Sequence, residues 1–140
     1  MKPIAAAKLV PVQLYPLYGC KINAGFPSPA DDYIESRLDL NEYLVRHKEA
    51  TFFLRVKGDS MAGANIHDGS LLIVDRAAEP KHGDIVVAVV NGELTVKRLY
   101  RRGGVVKLLA ENEAFPEILV KPEGELVVWG VVQHVVHSFG

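Results

Sequence analysis

The stretch Ile85-Val86-Val87-Ala88-Val89-Val90-Asn91-Gly92-Glu93-Leu94-Thr95-Val96-Lys97-Arg98-Leu99 sets two runs rich in β-branched residues around an Asn-Gly pair. A type I′ turn needs positive φ at both central positions, and Asn-Gly meets that need well. Residues 85–90 and 93–99 are therefore predicted to form a hairpin. Outward from it, Gly103-Gly104 marks a second hairpin, joining 93–99 to Val105–Leu109, and Asp68-Gly69 marks a turn before Ser70–Asp75. Thr51–Lys57 and Leu126–Val136 carry the same strand-like composition. Many short strands with close turns imply a mainly β fold, a compact domain of hairpins that folds over itself.

The N-terminal part reads differently. Five of the eight prolines (Pro3, Pro11, Pro16, Pro27 and Pro29) lie within residues 1–40. Each removes a backbone donor and restricts its predecessor, so no regular ladder is expected there. The apolar residues between them, Leu9 to Tyr18, are too many for a solvated tail. They predict an extended arm that packs on something. Residues 31–37 and 39–47 are predicted as short helices. In the second, Asp39 and Glu42 have capping-box spacing, and Leu40, Tyr43 and Leu44 share a face. The organisation expected is an arm over residues 1–40 and a β-rich domain over residues 41–140.

Composition narrows the function classes. A chain of 140 residues, 49% apolar, suits one domain with one core. A net charge of −1 implies no bulk attraction to nucleic acid, so strong direct DNA binding is not expected. The single cysteine, Cys20, has no partner for an internal disulfide, in keeping with a reducing compartment. No basic partner that would make it a nucleophile is evident, and a small packed residue is expected. The apolar stretch Ile4–Val12 is broken by Lys8 and Pro11, too short and interrupted for a signal peptide or a membrane span. A cytoplasmic protein without membrane contact is expected.

Two residues carry possible chemistry. Ser60, in Gly58-Asp59-Ser60-Met61, directly follows the predicted strand Thr51–Lys57. A serine past a strand end, beside a glycine, is placed for exposure among free backbone amides. It equally suits a turn or a helix cap. Lys97 is the second. On a strand it shares a face with Thr95 and Leu99, while Arg98 points the other way. It can extend its ammonium to solvent, or stay buried and lose its charge. A serine hydroxyl needs a base to become a nucleophile. An ordinary lysine is neutral in only about one molecule in 2,500 at pH 7. To serve as that base it needs its charged form destabilised by roughly 4 kcal/mol, which burial without a carboxylate partner supplies.

The chain resembles the UmuD family of SOS mutagenesis proteins and, more distantly, the LexA-type self-cleaving repressors. The likeness is carried by Ala24-Gly25-Phe26-Pro27-Ser28-Pro29, Gly58-Asp59-Ser60-Met61, Asp68-Gly69 with Leu71–Asp75, His82-Gly83-Asp84-Ile85-Val86, Thr95-Val96-Lys97, and Gly130–Val136. It implies a LexA/UmuD-like β domain in which Ser60 is the nucleophile of a Ser–Lys serine peptidase and Lys97 its general base. It implies that the backbone amides of Asp59 and Ser60 hold the oxyanion, and that the cut falls between Ala24 and Gly25. Ile22 would then anchor the arm in an apolar groove, and Gly25 would allow a kinked backbone at the cut. The resemblance further implies a homodimer, stimulation by a RecA nucleoprotein filament, and a Y-family DNA polymerase as partner in translesion synthesis. The 24 residues before the cut are too few for a helix-turn-helix domain, so a repressor is not expected.

Other constellations give less. His134 and His137 are three apart and face opposite ways on a strand, and no cysteine cluster joins them, so neither a metal nor another cofactor is expected. A triad of Ser60, His82 and Asp84 lacks a nucleophile-elbow pattern. Arg98, Arg101 and Arg102 read as a solvated hairpin tip, or as a weak phosphate contact in a DNA-bound assembly. Two further function classes stay open: a catalytically inactive binding module that regulates a polymerase, and a general peptidase acting on other proteins.

Overall fold

The computed structural model describes residues 12–19, 22, 24–26, 34–121 and 126–139. The strands run in the order β1 (Leu14–Tyr18), β2 (Ile34–Asp39), β3 (Thr51–Arg55), β4 (Leu71–Asp75), β5 (Ile85–Val90), β6 (Glu93–Arg102), β7 (Val105–Leu109), β8 (Ile118–Val120) and β9 (Val127–Val136). A short helix, α1 (Leu40–Leu44), follows β2. The chain is mainly β, as expected.

The hairpins form where the turn residues call for them. Asn91 and Gly92 have φ of 51° and 80°, so the β5–β6 turn has positive φ at both centres. Gly103 and Gly104, at 56° and 76°, do the same between β6 and β7. Strands β3 to β9 make one sheet in the order β3-β4-β9-β5-β6-β7-β8, antiparallel at every step. β9 ties its halves together. Val131–Val136 pair with β4, and Val127–Val131 pair with β5, with Val131 opposite both Asp75 and Val86. A register break on each side of Val131 bends the strand, which is what bulges do.

Side-chain parity divides the core. Val87 packs with Val56, Met61, Ile66, Leu72 and Val74. Its neighbours Val86 and Ala88 pack instead with Leu99, Leu108 and Val131. β5 is therefore covered on both faces and reads as an unbroken apolar run, as a central strand must. The buried Asp75 at the end of β4 is satisfied. His47 Nδ1 lies 2.6 Å from its carboxylate, and the Ala77 N–H donates to it at 2.8 Å.

The N-terminal expectations need correction. β1 and β2 form an antiparallel ladder of their own, separate from the seven-stranded sheet, with Pro16 opposite Arg37 and a register break between Leu17 and Tyr18. Each strand of a two-stranded ribbon has an open edge, so a proline is tolerated where its missing N–H would face outward. The helix expected over 31–37 is replaced, within the described residues, by β2, because pairing with β1 overrides local propensity. The helix expected over 39–47 shrinks to α1, capped by Asp39, whose carboxylate accepts the Asn41 N–H at 3.0 Å. β8 was not expected: three residues are too few for a periodic signal. Cys20, Pro27–Pro29 and the arm before residue 12 lie outside the described residues.

Candidate active site

β6 brings Lys97 to the edge of a gap. β6 pairs with β5 over Glu93–Arg98 and with β7 over Arg98–Arg102, so the two ladders overlap only at Arg98. Before that point only β5 pairs with it, so Lys97 is the last residue whose β7-side edge is open. Its neighbour on the same face, Leu99, is fully buried. Lys97 itself is 8% exposed and does not extend to solvent. Its ammonium donates to Ser60 Oγ at 2.9 Å, to Thr95 Oγ1 at 3.2 Å and to the Val96 carbonyl at 3.2 Å.

All three acceptors are neutral. Among the described residues, no carboxylate lies within ion-pair distance of Lys97. Burial therefore acts unopposed, and desolvation lowers the Lys97 pKa from its ordinary value. This is the environment that the base of a serine nucleophile requires. Thr95, two residues back on the same face, adds an oxygen that steadies the amine whether or not it is charged.

Ser60 sits in the loop between β3 and β4. The Gly58 N–H donates to Asp68 Oδ1 at 2.8 Å, and Gly58 takes φ of 94°, which turns the chain sharply. The loop carbonyls are then tied down. The Asp59 carbonyl accepts from the Ala62 N–H at 3.1 Å and from Asn112 Nδ2 at 3.0 Å, and the Ser60 carbonyl accepts from the Glu111 N–H at 2.8 Å. The amides of Asp59 and Ser60 donate to no acceptor among the described residues. The loop thus presents a hydroxyl with two uncommitted N–H groups in its own backbone, the arrangement an oxyanion site needs.

A cleft of about 260 Å³ opens beside the hydroxyl. Leu54, Val56, Leu72, Val87, Leu94 and Val96 line it, with Ser60 and Thr95 and with Arg55 and Lys57. Six of its ten lining residues are apolar, which suits an apolar side chain of an extended segment, and Arg55 and Lys57 add two cations.

The remaining candidates fall elsewhere. Ala24 and Gly25 are exposed, and nothing lies within 4 Å of where a Gly25 Cβ would stand. Ile22 and Phe26, on either side, are 86% and 84% exposed. Ile22 thus fills no groove in this structure, and Gly25 is not at positive φ. Such seating needs the arm to lie along the cleft, and here it does not. His82 and Asp84 have other partners: His82 Nδ1 accepts the Arg101 N–H at 3.0 Å, and Asp84 accepts the Lys81 N–H at 2.9 Å. Among the described residues no three His, Cys, Asp or Glu side chains converge to hold a metal.

Arg98 does not belong to a solvated hairpin tip. It pairs with Glu111 and donates to the Gly83 carbonyl at 2.6 Å, while Arg101 and Arg102 are exposed. Glu111 and Asn112, which hold the Ser60 loop, went unnoticed in the sequence. They follow a strand and belong to no motif that spacing picks out.

A protein-family model described as Peptidase S24-like matches residues 16–133. The chain is 49% identical over 124 residues to Protein MucA of Salmonella typhimurium, covering 88% of this chain and 84% of that protein. It is 47% identical over 136 residues to Protein SamA of the same species, covering 96% and 94%. LexA repressor 1 of Geobacter sulfurreducens is 43% identical over 112 residues, which are 79% of this chain and 55% of that repressor.

Proposed function

This chain belongs to the S24-like peptidase family, in keeping with its resemblance to UmuD and LexA proteins, and on that premise we propose that it cuts its own arm between Ala24 and Gly25. The observation that carries the reading is the 2.9 Å contact between Ser60 Oγ and a buried lysine amine that has no counter-charge among the described residues.

The chemistry follows from that contact. Neutral Lys97 takes the Ser60 proton as Oγ attacks the Ala24 carbonyl carbon. The N–H groups of Asp59 and Ser60 receive the oxyanion. The Ala24–Gly25 bond breaks, and the Lys97 ammonium returns its proton to the Gly25 amine. Water then attacks the ester between Ser60 and Ala24. Lys97 removes a proton from that water and hands it back to the serine oxygen. The products are a carboxylate at Ala24 and a chain beginning at Gly25.

The exposed arm gives the reaction its control point. Catalyst and cleft are formed while the bond to be cut stands away from them, so docking of the arm precedes chemistry. A RecA filament would act by favouring the docked arm. The processed chain, as a homodimer, would then serve a Y-family DNA polymerase in translesion synthesis. Relatives such as MucA and SamA support this SOS mutagenesis role.

The test is incubation of the intact protein across neutral to alkaline pH, with mass spectrometry of the products. Cleavage should accelerate as Lys97 deprotonates and level off below the ordinary lysine value, giving a new N-terminus at Gly25. Ser60→Ala should abolish that product. An intact chain at high pH, even with activated filaments present, would instead identify an inactive binding module.

A further inference from the structure

Lys97 and Ser60 lie 37 residues apart, and something must hold their side chains at hydrogen-bond distance. The contacts close a ring around them. The Lys97 amine donates to Ser60 Oγ. The Ser60 carbonyl accepts the Glu111 N–H at 2.8 Å. The Glu111 carboxylate pairs with the Arg98 guanidinium, and Arg98 is joined to Lys97 by a peptide bond. A second strut runs from the Gly63 N–H to the Glu111 carbonyl at 2.7 Å, so Glu111 grips the loop on both sides of Met61.

Gly63 carries an independent sign of this grip. A Cβ there would stand 2.6 Å from the Glu111 carbonyl oxygen, closer than atoms can approach. Its backbone angle is not left-handed, so the close approach to Glu111, and not the turn, is what requires glycine. Arg98 is anchored in its turn by the Gly83 carbonyl at 2.6 Å. The two basic neighbours on β6 thus divide the work. Lys97 meets the hydroxyl, and Arg98, on the other face, fixes the segment that holds the hydroxyl's backbone.

We propose that Glu111, locked by Arg98, is a positioning residue that sets the distance from Ser60 Oγ to the Lys97 amine. This rests on the self-cleavage reading above and assigns the pair a role within it. Glu111 touches neither reacting atom. It acts through the Ser60 backbone, and displacements of about 1 Å at a nucleophile can cost on the order of 100-fold in rate.

The experiment measures self-cleavage of the full chain as a function of pH, well below each variant's unfolding temperature. Wild type, Ser60→Ala, Glu111→Gln, Arg98→Gln and the double variant are compared. Glu111→Gln should lower the alkaline plateau about 10- to 100-fold. The pH midpoint should stay in place, because the burial of Lys97 is untouched. The double variant should be no slower than the worse single one, since one linkage is lost in all three. If Glu111→Gln does not fold, Glu111→Asp keeps the charge and shortens the reach, and its plateau should fall between those of wild type and Arg98→Gln. A plateau within about twofold of wild type, multiplying effects in the double variant, or a shifted midpoint with an unchanged plateau each overturns the assignment. If wild type does not cleave, or Ser60→Ala still does, the self-cleavage reading falls and takes this one with it. If only Glu111→Gln behaves unexpectedly, the positioning role alone is lost.

Discussion

The seven-stranded sheet and the β1–β2 ribbon are built from similar residues to opposite effect. In the sheet, Leu72, Val74, Val86, Leu99 and Leu108 are sealed from water, and polar groups that follow them inside, such as Asp75 and Lys97, have partners. In the ribbon, Leu14, Tyr15, Leu17, Tyr18 and Ile34 are all exposed, although the strands are paired along their length. Backbone pairing alone therefore does not bury a side chain. A third strand or a covering layer is needed, and among the described residues the ribbon has neither. The difference teaches where each job can be done. A lysine base needs a dry, rigid site. On the proposed self-cleavage reading, the segment to be cut needs a looser hold than the sheet gives.

The sharpest way to break this comparison is at Lys97. Lys97→Met keeps the volume and removes both the base and the buried amine. Self-cleavage should disappear, by more than about 1,000-fold, as loss of a member of a catalytic pair does. Folding should improve at neutral pH. Because burial depresses the folded-state pKa of Lys97, the unfolded chain binds more protons between that lowered value and 10.5. Wild-type stability therefore rises with pH through that window, and below it the buried charge carries its full cost. Lys97→Met should remove this rise and lift the unfolding midpoint at pH 7 by about 3 °C. Thermal scans at pH 7 and at alkaline pH check it. A variant less stable than wild type at both would show that the site is not desolvated.

Next in size comes the core itself. Leu99 is fully buried in the cluster with Val86 and Leu108, so Leu99→Ala should cost about 3 kcal/mol. Denaturant unfolding of the Ser60→Ala background, where no cleavage intrudes, measures it. A cost under about 1 kcal/mol would mean that the cluster collapses around the loss.

Ile22 probes the traffic between the two regions. It is 86% exposed in the uncut chain, so Ile22→Asp should leave stability within about 0.5 kcal/mol. Docking in the apolar cleft would bury it, and that burial is worth about 2 kcal/mol, or roughly 30-fold in cleavage rate. Unchanged kinetics would show that the arm does not use that cleft.

The same contrast explains what could be read in advance. β5 to β7 were legible because Asn91-Gly92 and Gly103-Gly104 demand positive φ, and the observed turns have it. The approach of Lys97 to Ser60 was legible only as a possibility, since parity fixes a face but not a distance. The ribbon is hidden because prolines argue against strands in general, whereas Pro16 pairs opposite Arg37 in a ribbon whose strands each keep one edge unpaired. Glu111 was invisible for a different reason. It acts through its main chain at the Ser60 loop, which no side-chain pattern announces, and its charge partner Arg98 looked like one of three solvated arginines.

The smallest effect tests the ribbon's independence. Leu14 is 52% exposed and pairs with Asp39 at the end of β2, next to α1. A two-stranded ribbon is marginal in water, so its opening belongs to local fluctuation and not to global unfolding. Leu14→Ala should then change the global unfolding free energy by less than about 0.5 kcal/mol. Hydrogen exchange should locate the change. Amides of β1 and β2 would exchange faster, while those of β4, β5 and β9 keep their protection. If Leu14→Ala instead cost as much as Leu99→Ala, the ribbon would have to be buried in solution against the sheet or a second copy of the chain. The apolar side chains that β1 presents to water would then be half of an interface, and the loose hold on the arm would depend on that contact being broken first.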